Sequence, residues 1–187
     1  MALIANNFDN RKITLLVADR ISLFSSGLQH MLLAEGGFER IDVADNKREL
    51  LQYISAFTYD VLLVDTKLED TDGVEILRQI RVRKPDQKVL FFGVWKNELF
   101  LQQCLMIGIQ GYIFKQISLK ELHRAIRSVS SGNEFFTREI STKLIRMAAR
   151  PGLIQSLVND KLSDRELEVL KRVVKEYSNQ EIAEDLS

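Results

Sequence analysis

Asp65 closes the apolar run Val61-Leu62-Leu63-Val64, Asp19 closes Ile13-Thr14-Leu15-Leu16-Val17-Ala18, and Lys115 closes Tyr112-Ile113-Phe114. A charged residue at the end of such a run sits where a buried parallel strand leaves its sheet. In open α/β sheets that carboxyl edge is where ligands and chemistry collect. Two carboxylates and one ammonium at three strand ends suggest a single polar pocket offering oxygen ligands and one positive point charge. No Gly-rich phosphate loop, serine or cysteine nucleophile constellation or zinc spacing accompanies it, so an enzyme is not expected. His30 and His123 fall on helices without a cysteine or histidine partner at metal spacing and read as surface or packing residues.

The elements that must position the three residues alternate along the chain. Ile13–Ala18 is a strand candidate, and Phe24–Ala34 repeats Phe24, Leu28, Met31 and Leu32 at helical spacing before Gly36-Gly37. Ile41–Ala44 is a short strand. Asn46 caps a helix to about Ser55 with Leu50, Leu51 and Ile54 inward. After the strand Val61–Val64, Asp72 caps a helix carrying Val74, Leu77 and Ile80, which Pro85 stops. Val89–Phe92 is the fourth strand, Glu98–Ile107 a helix ended by Gly108, and Gly111–Phe114 the fifth strand. Ser118-Leu119-Lys120-Glu121 is a capping box opening a helix with Leu122, Ala125, Ile126 and Val129 inward. Five strands alternating with five helices predict a flavodoxin-like doubly wound α/β fold, with a five-stranded parallel sheet in the order 2-1-3-4-5. That order makes Asp19 and Asp65 neighbours.

The second part of the chain is all-α. Thr137–Ala149 reads as a helix stopped by Pro151-Gly152, and a linker follows. Two further capping boxes, Ser163-Asp164-Arg165-Glu166 and Ser178-Asn179-Gln180-Glu181, open helices separated by a short turn. Ala183 is small enough for the two to cross closely, as at the opening of a helix-turn-helix. The expected boundaries are 11–132 for the α/β domain, 133–161 for a helical linker and 162–187 for a partial helix-turn-helix domain.

The chain has 187 residues with 26 basic and 26 acidic side chains, so any basic patch for nucleic acid must be local. Cys104 is the only cysteine, which excludes an internal disulfide and suits a reducing compartment. No apolar run approaches the roughly 20 residues that span a bilayer, and Met1–Asn10 does not read as a signal peptide. A soluble, cytoplasmic protein with no membrane partner is expected.

These residues carry a family likeness. The chain resembles the response regulators of bacterial two-component systems, in particular the NarL/FixJ group, in which a receiver domain precedes a LuxR-type helix-turn-helix. The likeness rests on Tyr59-Asp60-Val61-Leu62-Leu63-Val64-Asp65, on Asp72-Gly73-Val74-Glu75, on Gly108-Ile109-Gln110-Gly111-Tyr112-Ile113-Phe114-Lys115, and on LSDRELEVLKRVVKEYSNQEIAEDLS at 162–187. It implies that Asp65 accepts a phosphoryl group from a histidine kinase, with Asp19 and Asp65 holding Mg²⁺. Lys115 would pair with the phosphoryl oxygens, and Tyr112 would be the switch aromatic whose rotamer reports activation. It also implies a DNA-binding transcription regulator acting as a homodimer. The reader helix of such a motif would follow Ser187, so residues 162–187 are expected to lack it. Lys171, Arg172 and Lys175 are candidates for phosphate contacts or a solvated face.

Three positions depart from the family pattern. Two consecutive acidic residues normally follow the first strand; here they align with Asp19-Arg20, placing a cation where Mg²⁺ would sit. A Ser or Thr normally ends the fourth strand, and Gly93 stands there without a hydroxyl. The Pro that often follows the lysine is Gln116, a lesser departure. The expectation is an atypical receiver with a weak or absent Mg²⁺ site and no other cofactor. Asp65 would be phosphorylated weakly or not at all, and Arg20 would pair with Asp19 or Asp65. The alternatives are a conventional regulator phosphorylated on Asp65 and a receiver-like adaptor that binds a protein partner. On the fourth helix, Leu99, Phe100, Met106 and Ile107 exceed what one buried stripe needs, and with nearby Trp95 they suggest a partly exposed apolar surface.

Overall fold

The computed structural model describes residues 11–68, 71–94 and 97–148. The chain falls into two compact units, 1–143 and 144–187, and the fold below is that of the first. The helix-turn-helix segment at 162–187, the linker from residue 149 onward, Trp95 and the basic residues Lys171, Arg172 and Lys175 lie outside the described residues.

The apolar runs become strands because their side chains are buried on both faces. β1 (Ile13–Ala18) and β3 (Val61–Val64) are buried along nearly their whole length, as is β6 (Val89–Gly93). With β2 (Phe38–Ala44), β7 (Gly111–Phe114) and β8 (Phe135–Phe136) they form one sheet in the order β2-β1-β3-β6-β7-β8. Each adjacent pair is parallel. The expected winding is present, with a sixth strand added at the edge. β8 carries two residues, too few to show an alternating pattern, and it is held by ladder bonds from the Phe135 amide to the Gln110 carbonyl (2.9 Å) and from Thr137 to Tyr112 (3.3 Å). A separate two-stranded hairpin, β4 (Lys67–Leu68) with β5 (Thr71–Asp72), follows β3.

The helices between strands are α1 (Ser22–Glu35), α2 (Lys47–Ala56), α3 (Gly73–Arg83), α4 (Glu98–Ile107) and α5 (Leu119–Ser130), with α6 (Arg138–Ala148) after β8. Three caps form as their side chains dictate. Asn46 Oδ1 accepts from the Glu49 amide at 2.8 Å, Asn97 Oδ1 from Phe100 at 2.8 Å, and Ser118 Oγ from Glu121 at 3.3 Å. Asp72 stands at the N-cap of α3 without a side-chain cap bond. Gly108 ends α4 in the left-handed region at φ +97°, where a side chain would be strained. Leu28, Leu32, Leu122, Ala125, Ile126 and Val129 pack on β1, β3, β6 and β7 in one core cluster.

The helical patterns need three corrections. Met31 is 48 % exposed, because α1 turns Leu28 and Leu32 inward instead. Leu51 is half-buried. Phe100, assigned to the exposed surplus of α4, is buried edge-on against Tyr112, whereas Leu99 and Met106 remain exposed.

Candidate functional site

The topology brings three strand ends together. β1 and β3 are paired through Ala18 and Val64, and the Asp65 amide donates to the Ala18 carbonyl at 2.8 Å. Asp19 and Asp65 therefore leave the sheet side by side. Lys115 follows β7, and its amide donates to the Gly93 carbonyl at the end of β6 (3.2 Å).

Lys115 is the hub of the site. Its Nζ donates to Asp65 Oδ2 at 2.9 Å and makes a short bond to Asp19 Oδ2. Asp19 is 1 % exposed and Asp65 9 %. Two buried carboxylates this close repel, and the shared ammonium holds them together. Burial pulls the Lys115 pKa down, and the Asp19 and Asp65 carboxylates more than offset it, leaving the group above an ordinary lysine. The ammonium also lies 5.0 Å from the Phe24 ring centroid and 5.6 Å from that of Phe92, and these rings are themselves stacked. The other carboxylate oxygens are held by backbone: Asp19 Oδ1 accepts from the Ile21 amide at 2.9 Å, and Asp65 Oδ1 from the Lys67 amide at 3.1 Å.

Arg20 is exposed and forms no ion pair with Asp19 or Asp65 among the described residues. The expected Arg20 pair is thus corrected. The turn that lets Ile21 N–H reach Asp19 leaves the next side chain facing water, and Lys115 takes the partner role. Among the described residues, no group of three or more His, Cys, Asp or Glu gathers at metal-binding range.

Gly93 is buried at the end of β6, and a different side chain fills the space beside it. A Cβ added there would stand 2.2 Å from Thr66 Oγ1 and 2.7 Å from Thr66 Cγ2. Tyr112 is fully buried, and its hydroxyl donates to the Val94 carbonyl at 2.6 Å. Phe91, Phe100 and Phe114 surround its ring. Burial pushes its phenol well above the usual tyrosine range. Gln116 is exposed. Sequence reasoning missed Thr66, Phe24 and Phe92. Only the adjacency of Thr66 to Asp65 hinted at the first, and nothing in the chain marked the two rings as neighbours of Lys115.

Residues 15–127 match the response regulator receiver domain family, and residues 160–187 match the luxR family of bacterial regulatory proteins. The response regulator protein VraR of Staphylococcus aureus is 31 % identical over 172 residues, covering 91 % of this chain and 80 % of its own. A LuxR-family two-component response regulator from Aurantimonas sp. superposes with a TM-score of 0.68 at 19 % identity, over 74 % of this chain and 99 % of the other. RcsB, solved as two dimers bound to two parallel DNAs, gives 0.67 at 20 % identity, over 94 % and 83 %. No helix among the described residues is long and apolar enough to cross a membrane. With its doubly wound sheet and the matches over both segments, this chain belongs to the response regulators, as a receiver domain followed by a luxR-type helix-turn-helix segment, and is not an enzyme.

Proposed function

We propose that this protein is a DNA-binding transcription regulator whose receiver works with little or no dependence on phosphorylation of Asp65. The charge arrangement around Asp65 carries this reading. Both buried carboxylates are already served by Lys115. The position next to Asp19, which the family fills with a second acid, is a guanidinium. Mg²⁺ binds through near-octahedral oxygen ligands, one or two of them carboxylates. Two carboxylates already bound by one ammonium fit it poorly, since Mg²⁺ and the Lys115 ammonium a few ångströms apart would repel by several kcal/mol at intermediate dielectric. In this reading Asp19, Asp65 and Lys115 form a structural ion cluster that stabilises the loop edge of the sheet without a metal.

Output would then be set by dimerisation, partner binding or abundance. DNA contact would come from the luxR-type segment at 162–187; the expected receiver limit of 132 leaves out β8, which pairs with β7, so the receiver's sheet runs on into the 133–161 stretch. The DNA complexes of RcsB support the DNA-binding part by analogy. A phosphate-affinity gel after incubation with acetyl phosphate and Mg²⁺ tests the proposal. Little or no shift is expected, and robust modification abolished by Asp65→Asn would reject it in favour of a conventional regulator served by a histidine kinase.

A further inference from the structure

The chain carries as many acidic as basic side chains, yet the surface between α2 and α3 has one sign. A groove of about 700 Å³ runs there, with Lys47, Arg48 and Arg83 along it and no acid among its described lining residues. Leu51 and Ala56 are its apolar part. A second hollow of about 410 Å³ shares Ser55 and Ala56 with the first, and adds Arg40 and Lys84 against Glu39 alone. Phe57, 45 % exposed, lines this second hollow.

Local stability does not account for these charges. Lys47 and Arg48 are the first two residues of α2. That end of a helix already carries positive partial charge, and a cation there is unfavourable. Neither side chain forms an ion pair among the described residues. Arg83 donates only to the Gln79 carbonyl on its own helix, at 3.2 Å. Arg40 is held in place by its neighbours. Its guanidinium lies 4.5 Å from the Phe57 ring centroid and 5.1 Å from that of Tyr59, with Nε 2.8 Å from Asp42 Oδ2. Asp42 offsets that one charge and none of the others.

We propose that this groove is a docking site for an acidic, amphipathic segment of a partner protein, whose carboxylates meet Lys47, Arg48 and Arg83 and whose apolar side chains cover Leu51 and Phe57. The mixture of charge and apolar surface in a concave site selects this occupant among polyanions. A helix or strand with acids on one side and apolar groups on the other satisfies both parts. A DNA backbone brings phosphates but no apolar group to bury. A membrane takes up apolar side chains that project from a surface, not ones that line a groove. None of the lining residues belongs to the Asp65 pocket.

Fluorescence anisotropy on the full chain, with a labelled peptide of glutamates and leucines at helical spacing, reads the affinity. Lys47→Glu combined with Arg48→Glu is the informative variant. Two acids in the first turn suit the helix dipole, so its melting temperature should equal or exceed the native value while peptide affinity falls at least about tenfold. The same loss is expected when glutamines replace the peptide's glutamates, or serines its leucines. No binding of the glutamate–leucine peptide, or equal affinity in any of these comparisons, would overturn the proposal. So would a lower melting temperature in the variant, since Lys47 and Arg48 would then serve the fold. Random-sequence duplex DNA or phosphatidylglycerol vesicles that bind more tightly than the peptide, and lose that binding in the same variant, would give the surface to nucleic acid or membrane and also overturn it. No phosphodonor enters these measurements, so their outcome is separate from the reading of Asp65.

Discussion

Replacing Lys115 by methionine removes the ammonium shared by two buried carboxylates while keeping most of the apolar stem. Losing one partner of a buried ion pair typically costs about 3–5 kcal/mol, chiefly because the remaining charge is left unpaired. Lys115 retains 23 % of its side-chain exposure, so water screens part of the loss. The lower end, about 3 kcal/mol at neutral pH, is therefore expected. For a chain of this length that is a fall of roughly 6–12 °C in the melting temperature of the receiver unit. The pH dependence is the sharper signature. In the native protein the raised Lys115 pKa contributes stability throughout the range below about 10.5, lost only as pH rises through the folded value. In the variant Asp19 and Asp65 face each other without a cation, and protonation relieves that repulsion in the folded state only, so folding gains as pH falls into the carboxylate range. The stability gap between native and variant should therefore be widest near pH 7 and narrow toward pH 4–5. Calorimetry on both proteins across that range measures it. A gap that is independent of pH, or below about 1 kcal/mol at pH 7, would refute the claim that Lys115 holds two ionised carboxylates.

Three further outcomes are expected. Arg20→Asp, at an exposed position, should change stability by no more than about 0.5 kcal/mol, yet raise Mg²⁺ affinity at least about tenfold, or 1.4 kcal/mol; isothermal titration reads both affinities, and equal values would sink the charge argument. Arg81→Ala should destabilise the receiver by about 2–3 kcal/mol, as urea unfolding would show. That guanidinium donates to the carbonyls of Gln87 (2.5 Å), Ile107 (3.3 Å) and Gly108, tying α3 to the end of α4. Asn46→Ala removes the bond to the Glu49 amide and should cost about 1 kcal/mol; a loss below about 0.3 kcal/mol would mean that water replaces the cap.

Much of the fold is legible in the chain because period and punctuation are local. Fully apolar runs ending in a charge mark buried parallel strands, Asn46 and Ser118 mark helix starts, and Gly108 marks an end. Winding rules then order the sheet and make Asp19 and Asp65 neighbours. The two-residue β8 escapes this reading since its strand geometry comes entirely from pairing with β7. The burial of Phe100 escapes it too, because the face that α4 turns inward depends on what Tyr112 presents.

Sequence by itself thus determines the strand ends, the charges placed on them and the absence of a hydroxyl at Gly93, all consequences of covalent identity and local periodicity. The tertiary structure alone decides which cation meets the carboxylates. Arg20 is nearest in sequence but is carried outward by the turn after β1, whereas Lys115, almost a hundred residues away, arrives from β7 beside both. It also decides that Thr66 fills the space beside Gly93, since that neighbourhood exists only once β3 and β6 are paired and the chain has turned past Asp65.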